Sequence, residues 1–336
     1  MNLTKHIAAL AAIGLIQGCT FMKTVVHNGA DLDDHRIFAN RAIEPAREPS
    51  VLRTLPSVPR FVADMKVPDE TGATRPLDRY LDDTRTAAFV VMRDDRIVYE
   101  RYARGFDPHS LLNSFSIAKS IVATLVGIAH AEGRIPSLEA TVADYRPDFS
   151  GTPYGAVTLK ALLTMTSGMG DAPSMLPGRA QHYYGDDLHG VVGRSQPENR
   201  AANGWRYSEG DAQMLGFVLE AAVGKTVSAY LAEKLWTPLG MESEALWALD
   251  REGGVEKSFC CISAPPATSR ASAGSTSRAV ASTERKSCPR NGPRAQFSGT
   301  DRQDPVPVLR AVAGSLKSPE HIAELDRLES QVVALR

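Results

Sequence analysis

In the stretch "NSFSIAKSIVATLVG", residues 113–127, a serine and a lysine stand three apart in an otherwise apolar run. Ile117, Ile121, Val122, Leu125, Val126 and Ile128 crowd nearly every face, so the segment from Ser116 predicts a buried helix that Gly133 ends. Ser116 would cap that helix. A capping box, however, asks for Glu or Gln three residues later, and Lys119 instead puts a cation at the positive end of the helix dipole. Lys119 is misplaced for stability. One helical turn brings its amine to the face of the Ser116 hydroxyl, and apolar surroundings lower an amine's affinity for its proton. The result is a nucleophile beside a base, with the backbone N–H of Ser116 at a helix start as a natural donor to an oxyanion. Such a pair arises about once by chance in a chain of this composition, so context decides its meaning.

The elements that must position the pair are legible on both sides. "TAAFVVMRDDRIVYERY" holds two β-rich runs, Ala87 to Met92 and Arg96 to Tyr102, around an Asp94-Asp95 turn, and predicts a hairpin. "VTLKALLTMTSGM" predicts a short helix capped by Thr158 and ended near Gly168. A helix from Asp211 to Val223 should stop at Gly224, and "VSAYLAEKLWTPLGM" supplies another. Between them, residues 171–204 read as loops rich in Gly, Pro, His and Asn. Tyr183, Tyr184, His182 and His189 there either line a cleft or sit on a solvated surface, two readings of equal merit.

Composition bounds the rest. A chain of 336 residues with 43% hydrophobic content is ample for a buried core. The net charge of -1 leaves no basic surplus to neutralise phosphates, so no nucleic-acid partner is expected. The opening "MNLTKHIAALAAIGLIQGC" carries Lys5, an apolar stretch from Ile7 to Ile16 and then Cys19, which reads as a signal peptide over residues 1–19. Its "IQGC" resembles the bacterial lipoprotein box, so Cys19 is the expected lipidation site and the periplasmic side of the envelope the expected location. Of the four cysteines, Cys260 and Cys261 are adjacent and Cys288 lies in a polar tract; no disulfide framework, zinc site or cofactor is expected. Residues 20–80, rich in Pro, Asp and Arg, read as an arm or tether.

Five segments together, "SIAK" (116–119), "LLTMTSGM" (162–169), "WRYSEGD" (205–211), "LGFVLEAAVGK" (215–225) and "EKLWTPLGM" (233–241), occur in the order and spacing of the serine beta-lactamase-like hydrolases. The chain resembles that family from about Ala87 to Ile262; it includes class C beta-lactamases, D-alanyl-D-alanine carboxypeptidases, family VIII esterases and aminohexanoate-oligomer hydrolases. The resemblance implies an α+β fold, with an antiparallel sheet flanked by helices plus a helical lobe, over residues 81–262. By position Ser116 would be the acylated nucleophile, Lys119 its proton acceptor and Tyr207 the phenol that shuttles protons. Glu209 departs from the pattern, where relatives carry Asn or Ser, and a carboxylate there favours a protonated Lys119. The implied substrate is a small ester, amide or β-lactam-like molecule, with the esterase and oligomer-amidase branch closest in phrasing.

The resemblance breaks after "GGVEKSFCCISA". The family's third element, a strand bearing Lys-Thr-Gly or a similar triplet, is not found in "PPATSRASAGSTSRAVASTERKSCPRNGPR", which has almost no large apolar residue. Residues 263–317 read either as a disordered tail or as the product of a reading frame that slipped near Ala264, and the sheet is expected to be incomplete. Residues 318–336, "SPEHIAELDRLESQVVALR", read as a short helix that Ser318 caps. The competing function is a non-catalytic envelope lipoprotein, either a degraded remnant or a peptidoglycan-binding module.

Overall fold

The computed structural model describes residues 20–27, 29–50, 53–54, 64–68, 72–93, 96–198, 204–266 and 331–335. The expected signal peptide with Cys19, and the tail from 267 to 330, lie outside the described residues. The chain divides into two compact units. The first comprises Met1–Glu44, Leu111–Pro238 and Glu244–Ala264; the second comprises Pro45–Ser110, Leu239–Ser243 and Pro265–Arg336.

The first unit is built on a four-stranded antiparallel sheet of β1 (Asn40–Ile43), β2 (Leu112–Asn113), β3 (Ala245–Ala248) and β4 (Ile262–Ala264), in the order β1-β3-β4-β2. Its longer helices are α1 (Ile117–Ala131) and α5 (Glu209–Val223), which pack together; α2 (Leu159–Leu163), α3 (Gly178–Tyr184) and α4 (Leu188–Gly193) lie between them in the chain. α1 is buried along Ala118, Lys119, Val122, Leu125, Val126 and Ala129, while Ile117 is 47% exposed, so it buries one face rather than all of them. Each large aliphatic on that face contributes on the order of 2 kcal/mol. The helix buried all round is α5, whose residues from Gly210 to Leu219 are all inside. Ser208 caps it by accepting from the Asp211 N–H, and Gly224 ends it at φ +69°, the left-handed conformation that glycine adopts without a Cβ penalty.

The second unit carries the expected hairpin, Ala88–Arg93 paired antiparallel with Arg96–Tyr102, with Arg53–Thr54 along one edge and Gln331–Leu335 along the other. Its core gathers Leu77, Leu81, Phe89, Val91 and Val98.

Four expectations need correction. The described residues of 20–80 are not without structure: 20–27 are helical, β1 joins the sheet, and Leu77–Asp83 is a helix, because short apolar patches such as Ile43 and Leu81 find cores made by distant segments. The tail boundary at 263 is too early, since Ser263 and Ala264 are buried in β4. Residues 331–335, placed in a terminal helix by their capping signal, form a strand instead; "QVVAL" pairs register for register with Ala88–Met92, and β-branched side chains suit that ladder. Residues 171–204 contain α3 and α4 rather than loops alone. Among the described residues no single helix is long and apolar enough to cross a membrane.

Candidate active site

The chain enters the site through a sharp turn. Asn113 ends β2 and its side-chain oxygen accepts from the Phe115 N–H at 2.9 Å, while Ser114 exchanges bonds with β4: its N–H donates to the Ile262 carbonyl (2.8 Å) and its hydroxyl accepts from the Ile262 N–H (3.2 Å). Phe115 is held at φ +46°, a conformation that costs a non-glycine residue about 1 kcal/mol or more. The turn lifts Ser116 into an exposed position at the head of α1. Its hydroxyl makes no capping bond to the helix. It faces Lys119 instead.

The Lys119 Nζ lies 3.0 Å from the Ser116 Oγ and donates to the Phe259 carbonyl at 2.8 Å. It sits over the Tyr207 ring, 4.7 Å from the centroid, and 5.7 Å from that of Phe259. Burial pushes its pKa down to about 8; Glu209 opposes that shift and Arg179 reinforces it. Glu209 thus acts in the direction the sequence suggests, but desolvation outweighs it. The Tyr207 phenol is raised by burial above its ordinary range, with Ser116 and Arg179 pulling it down and Glu209 pushing it up. The three expected residues therefore form one contact group.

Tyr207 owes its place to its neighbours in "WRYSEGD". The Arg206 guanidinium pairs with Asp171 (2.8 Å) and Glu198 (3.2 Å) and donates to the Met169 carbonyl, while its N–H bonds the Met165 carbonyl. Asp211 accepts from Tyr154 (2.8 Å) and Ser167 (2.7 Å), which ties the Thr-Ser-Gly segment to the head of α5; burial raises its carboxyl to about 6 against those hydrogen bonds. Farther along α5, Gln213 bonds the Glu256 carbonyl and the Ser258 N–H, setting the segment that ends in the Phe259 carbonyl.

A cavity of about 460 Å³ opens at the pair, lined by Ser116, Lys119, Arg179, Tyr183, Tyr184 and Glu209 among others. Tyr183 and Tyr184 thus stand at this cavity. Tyr183 donates to Asp34 (2.6 Å) and Tyr184 to the Gly29 carbonyl (2.6 Å), so both rings are fixed as wall. His182 is buried with Nδ1 on the Gly178 carbonyl, and His189 pairs with Asp148 at 2.7 Å; neither is among the residues that line this cavity. Sequence reasoning missed Arg179 and the Phe259 carbonyl. The first is one arginine in a stretch read as loop, and the second is a backbone atom that no residue type announces.

The bridge between Cys260 and Cys261 corrects the expectation that adjacent cysteines stay apart. A turn with Cys261 at φ +74° brings the two sulfurs together.

Comparison with known proteins bears on family and fold. The sequence matches the beta-lactamase family over residues 75–253. It is 25% identical over 204 residues to the 6-aminohexanoate-dimer hydrolase of Paenarthrobacter ureafaciens, covering 53% of this chain and 48% of that protein, so the match spans about half the relative's length. The fold superposes with a TM-score of 0.65 on a Bacillus anthracis structure assigned as a 6-aminohexanoate-dimer hydrolase, at 20% identity over 78% of this chain and 68% of the other. This likeness extends to the fold: helices with open antiparallel sheets, an α+β architecture.

Proposed function

The chain belongs to the beta-lactamase family, and from that premise we propose that it is a serine hydrolase that cleaves an ester or amide through an acyl-enzyme on Ser116. The observation that carries this reading is the amine of Lys119, 3.0 Å from the Ser116 hydroxyl and pushed down to about 8 by burial. As the free amine, Lys119 takes the Ser116 proton while the oxygen attacks the carbonyl carbon. Its bond to the Phe259 carbonyl spends one N–H on the protein and leaves the lone pair for the serine. The N–H of Ser116 supports the oxyanion at the start of α1, where the helix dipole favours negative charge.

Tyr207, whose ring lies beneath the Lys119 ammonium, gives its hydroxyl proton to the leaving group and is left as a phenolate. That phenolate then takes a proton from the water that attacks the acyl group, and the departing Ser116 oxygen recovers its proton from Lys119, which returns to its free form. The amide-hydrolysing relative supports an amide or ester rather than a strained lactam as substrate. Anchoring to the envelope through a lipid on Cys19 is part of the proposal. It is tested by metabolic labelling with a radioactive or alkynyl fatty acid, which Cys19→Ala should abolish.

The catalytic reading is tested with p-nitrophenyl acetate and a fluorescent phosphonate. Wild type should hydrolyse the ester and take up the label, and Ser116→Ala should do neither. Folded wild-type protein that does neither refutes the proposal.

A further inference from the structure

Cys260 and Cys261 are adjacent, bridged, and have no part in the chemistry above. Their position does. Both are buried, but Cys260 is among the residues that line the cavity holding Ser116 and Lys119, and Cys261 is not. The residue before the pair, Phe259, offers the carbonyl that accepts from Lys119 at 2.8 Å. The residue after it, Ile262, exchanges both of its backbone bonds with Ser114, two positions before the nucleophile. The bridged dipeptide thus spans the two places where this segment holds the base and the nucleophile turn.

We propose that Cys260–Cys261 is a thiol–disulfide modification site that sets the position of Lys119: bridged, it presents the Phe259 carbonyl to the amine, and as a dithiol it withdraws that partner. This rests on Lys119 being the base of the proposed hydrolase. The ring closed by the bridge holds Cys261 at φ +74°, a region L-residues rarely occupy. Once the ring opens, Cys261 relaxes toward negative φ. The Cys260 carbonyl is held by the Trp247 indole N–H at 3.2 Å and the Cys261 carbonyl by the Ala248 N–H at 3.0 Å. With the Cys261 carbonyl held in the sheet, the relaxation turns the Cys260–Cys261 peptide off the Trp247 indole, and the turn carries back to the adjoining peptide with the Phe259 carbonyl.

The chemistry balances with a small dithiol as reductant. Its thiolate attacks the Sγ of Cys260, the one facing the cavity, breaking the bridge and releasing Cys261 as a thiolate that takes a proton. The second thiol of the reductant, as thiolate, then displaces Cys260 from the mixed disulfide. Two electrons and two protons reach the pair, and the reductant leaves as a cyclic disulfide. A small disulfide such as oxidised glutathione drives the reverse.

The full chain is assayed with p-nitrophenyl acetate before and after dithiothreitol, with thiols counted by alkylation and intact mass. Reduction should expose two further thiols and lower kcat about tenfold, and oxidised glutathione should restore it. Cys260→Ser/Cys261→Ser should sit at the reduced level and ignore both reagents. Amide hydrogen exchange gives a readout independent of activity: the Ser114 and Ile262 N–H groups should exchange faster in the reduced protein. A thiol count that does not change overturns the proposal, as does a count that rises by two with kcat and exchange unaltered. Absent ester hydrolysis in both forms, with exchange still redox-dependent, sinks the hydrolase reading and not the switch in backbone structure.

Discussion

Two lysines of the first unit, Lys119 and Lys257, are both buried, and burial pushes both amines down, to about 8 and about 7. Judged by proton affinity, Lys257 is the more perturbed of the two. Its Nζ, however, points at the carbonyls of His182 and Gly185 at the C-terminal end of α3, each 3.4 Å away, and lies 4.8 Å from the centroid of the Phe38 ring. A cation at a helix C-terminus is a structural device. Lys119 instead faces a hydroxyl that no helix bond has claimed, on the wall of an open cavity. A depressed pKa therefore records burial; only a nucleophile in reach and room for an electrophile make a base of it.

The largest expected effect tests that contrast directly. Lys119→Ala and Ser116→Ala should each lower kcat/KM by about a thousandfold or more, whereas Lys257→Met should change it by less than about tenfold, through small shifts of α3. Equal losses at the two lysines would erase the distinction. Next, Tyr207→Phe should cost about a hundredfold in kcat, the range expected for loss of a proton-transfer group. A loss confined to KM would reduce Tyr207 to a wall residue.

The pH profile sharpens the comparison. Only the free amine of Lys119 accepts a proton, so kcat/KM should climb with pH and level off above about 8; near pH 7 about a tenth of the molecules carry that form. Glu209→Gln removes the charge that raises Lys119 and should move the rise to lower pH, and Arg179→Gln should move it to higher pH. A midpoint indifferent to both would mean that the limb belongs to another group.

The smallest effect is on stability. Lys257 titrates near 7 when folded and near its ordinary value of 10.5 when unfolded, so between those values the unfolded chain binds more protons. Stability should then increase as pH rises through that window, and the penalty is full below about 7. Lys119 contributes with the same sign between about 8 and 10.5. In Lys257→Met the slope of Tm against pH should flatten, and an unchanged slope would show that Lys257 does not lose its proton in the fold.

Much of the site was readable from local pattern. The Ser116-Lys119 spacing is one helical turn, and a helix of that length and apolarity fixes the geometry of residues three apart. Ser208 as cap and Gly224 as stop follow from rules that involve only near neighbours. The hairpin at 88–102 was legible for the same reason. The strand at 331–335 was not, because a short, mostly apolar run takes the structure of whatever edge it meets, and its partner lies more than 200 residues earlier. The role of residues 20–80 was hidden likewise, since β1 gains its meaning only from β3.

What the sequence by itself determined is the set of reactive groups and their local spacing: a serine, a lysine one turn on, and a tyrosine in a recognisable setting. What only the tertiary structure decided is which of the buried lysines faces a hydroxyl, how Tyr207 comes to lie under Lys119, and that the Phe259 carbonyl, 140 residues beyond the base, holds it. The physical reason is range. Helical geometry and capping act over a few residues, whereas desolvation and long-range hydrogen bonds depend on segments that become neighbours only when the chain has folded.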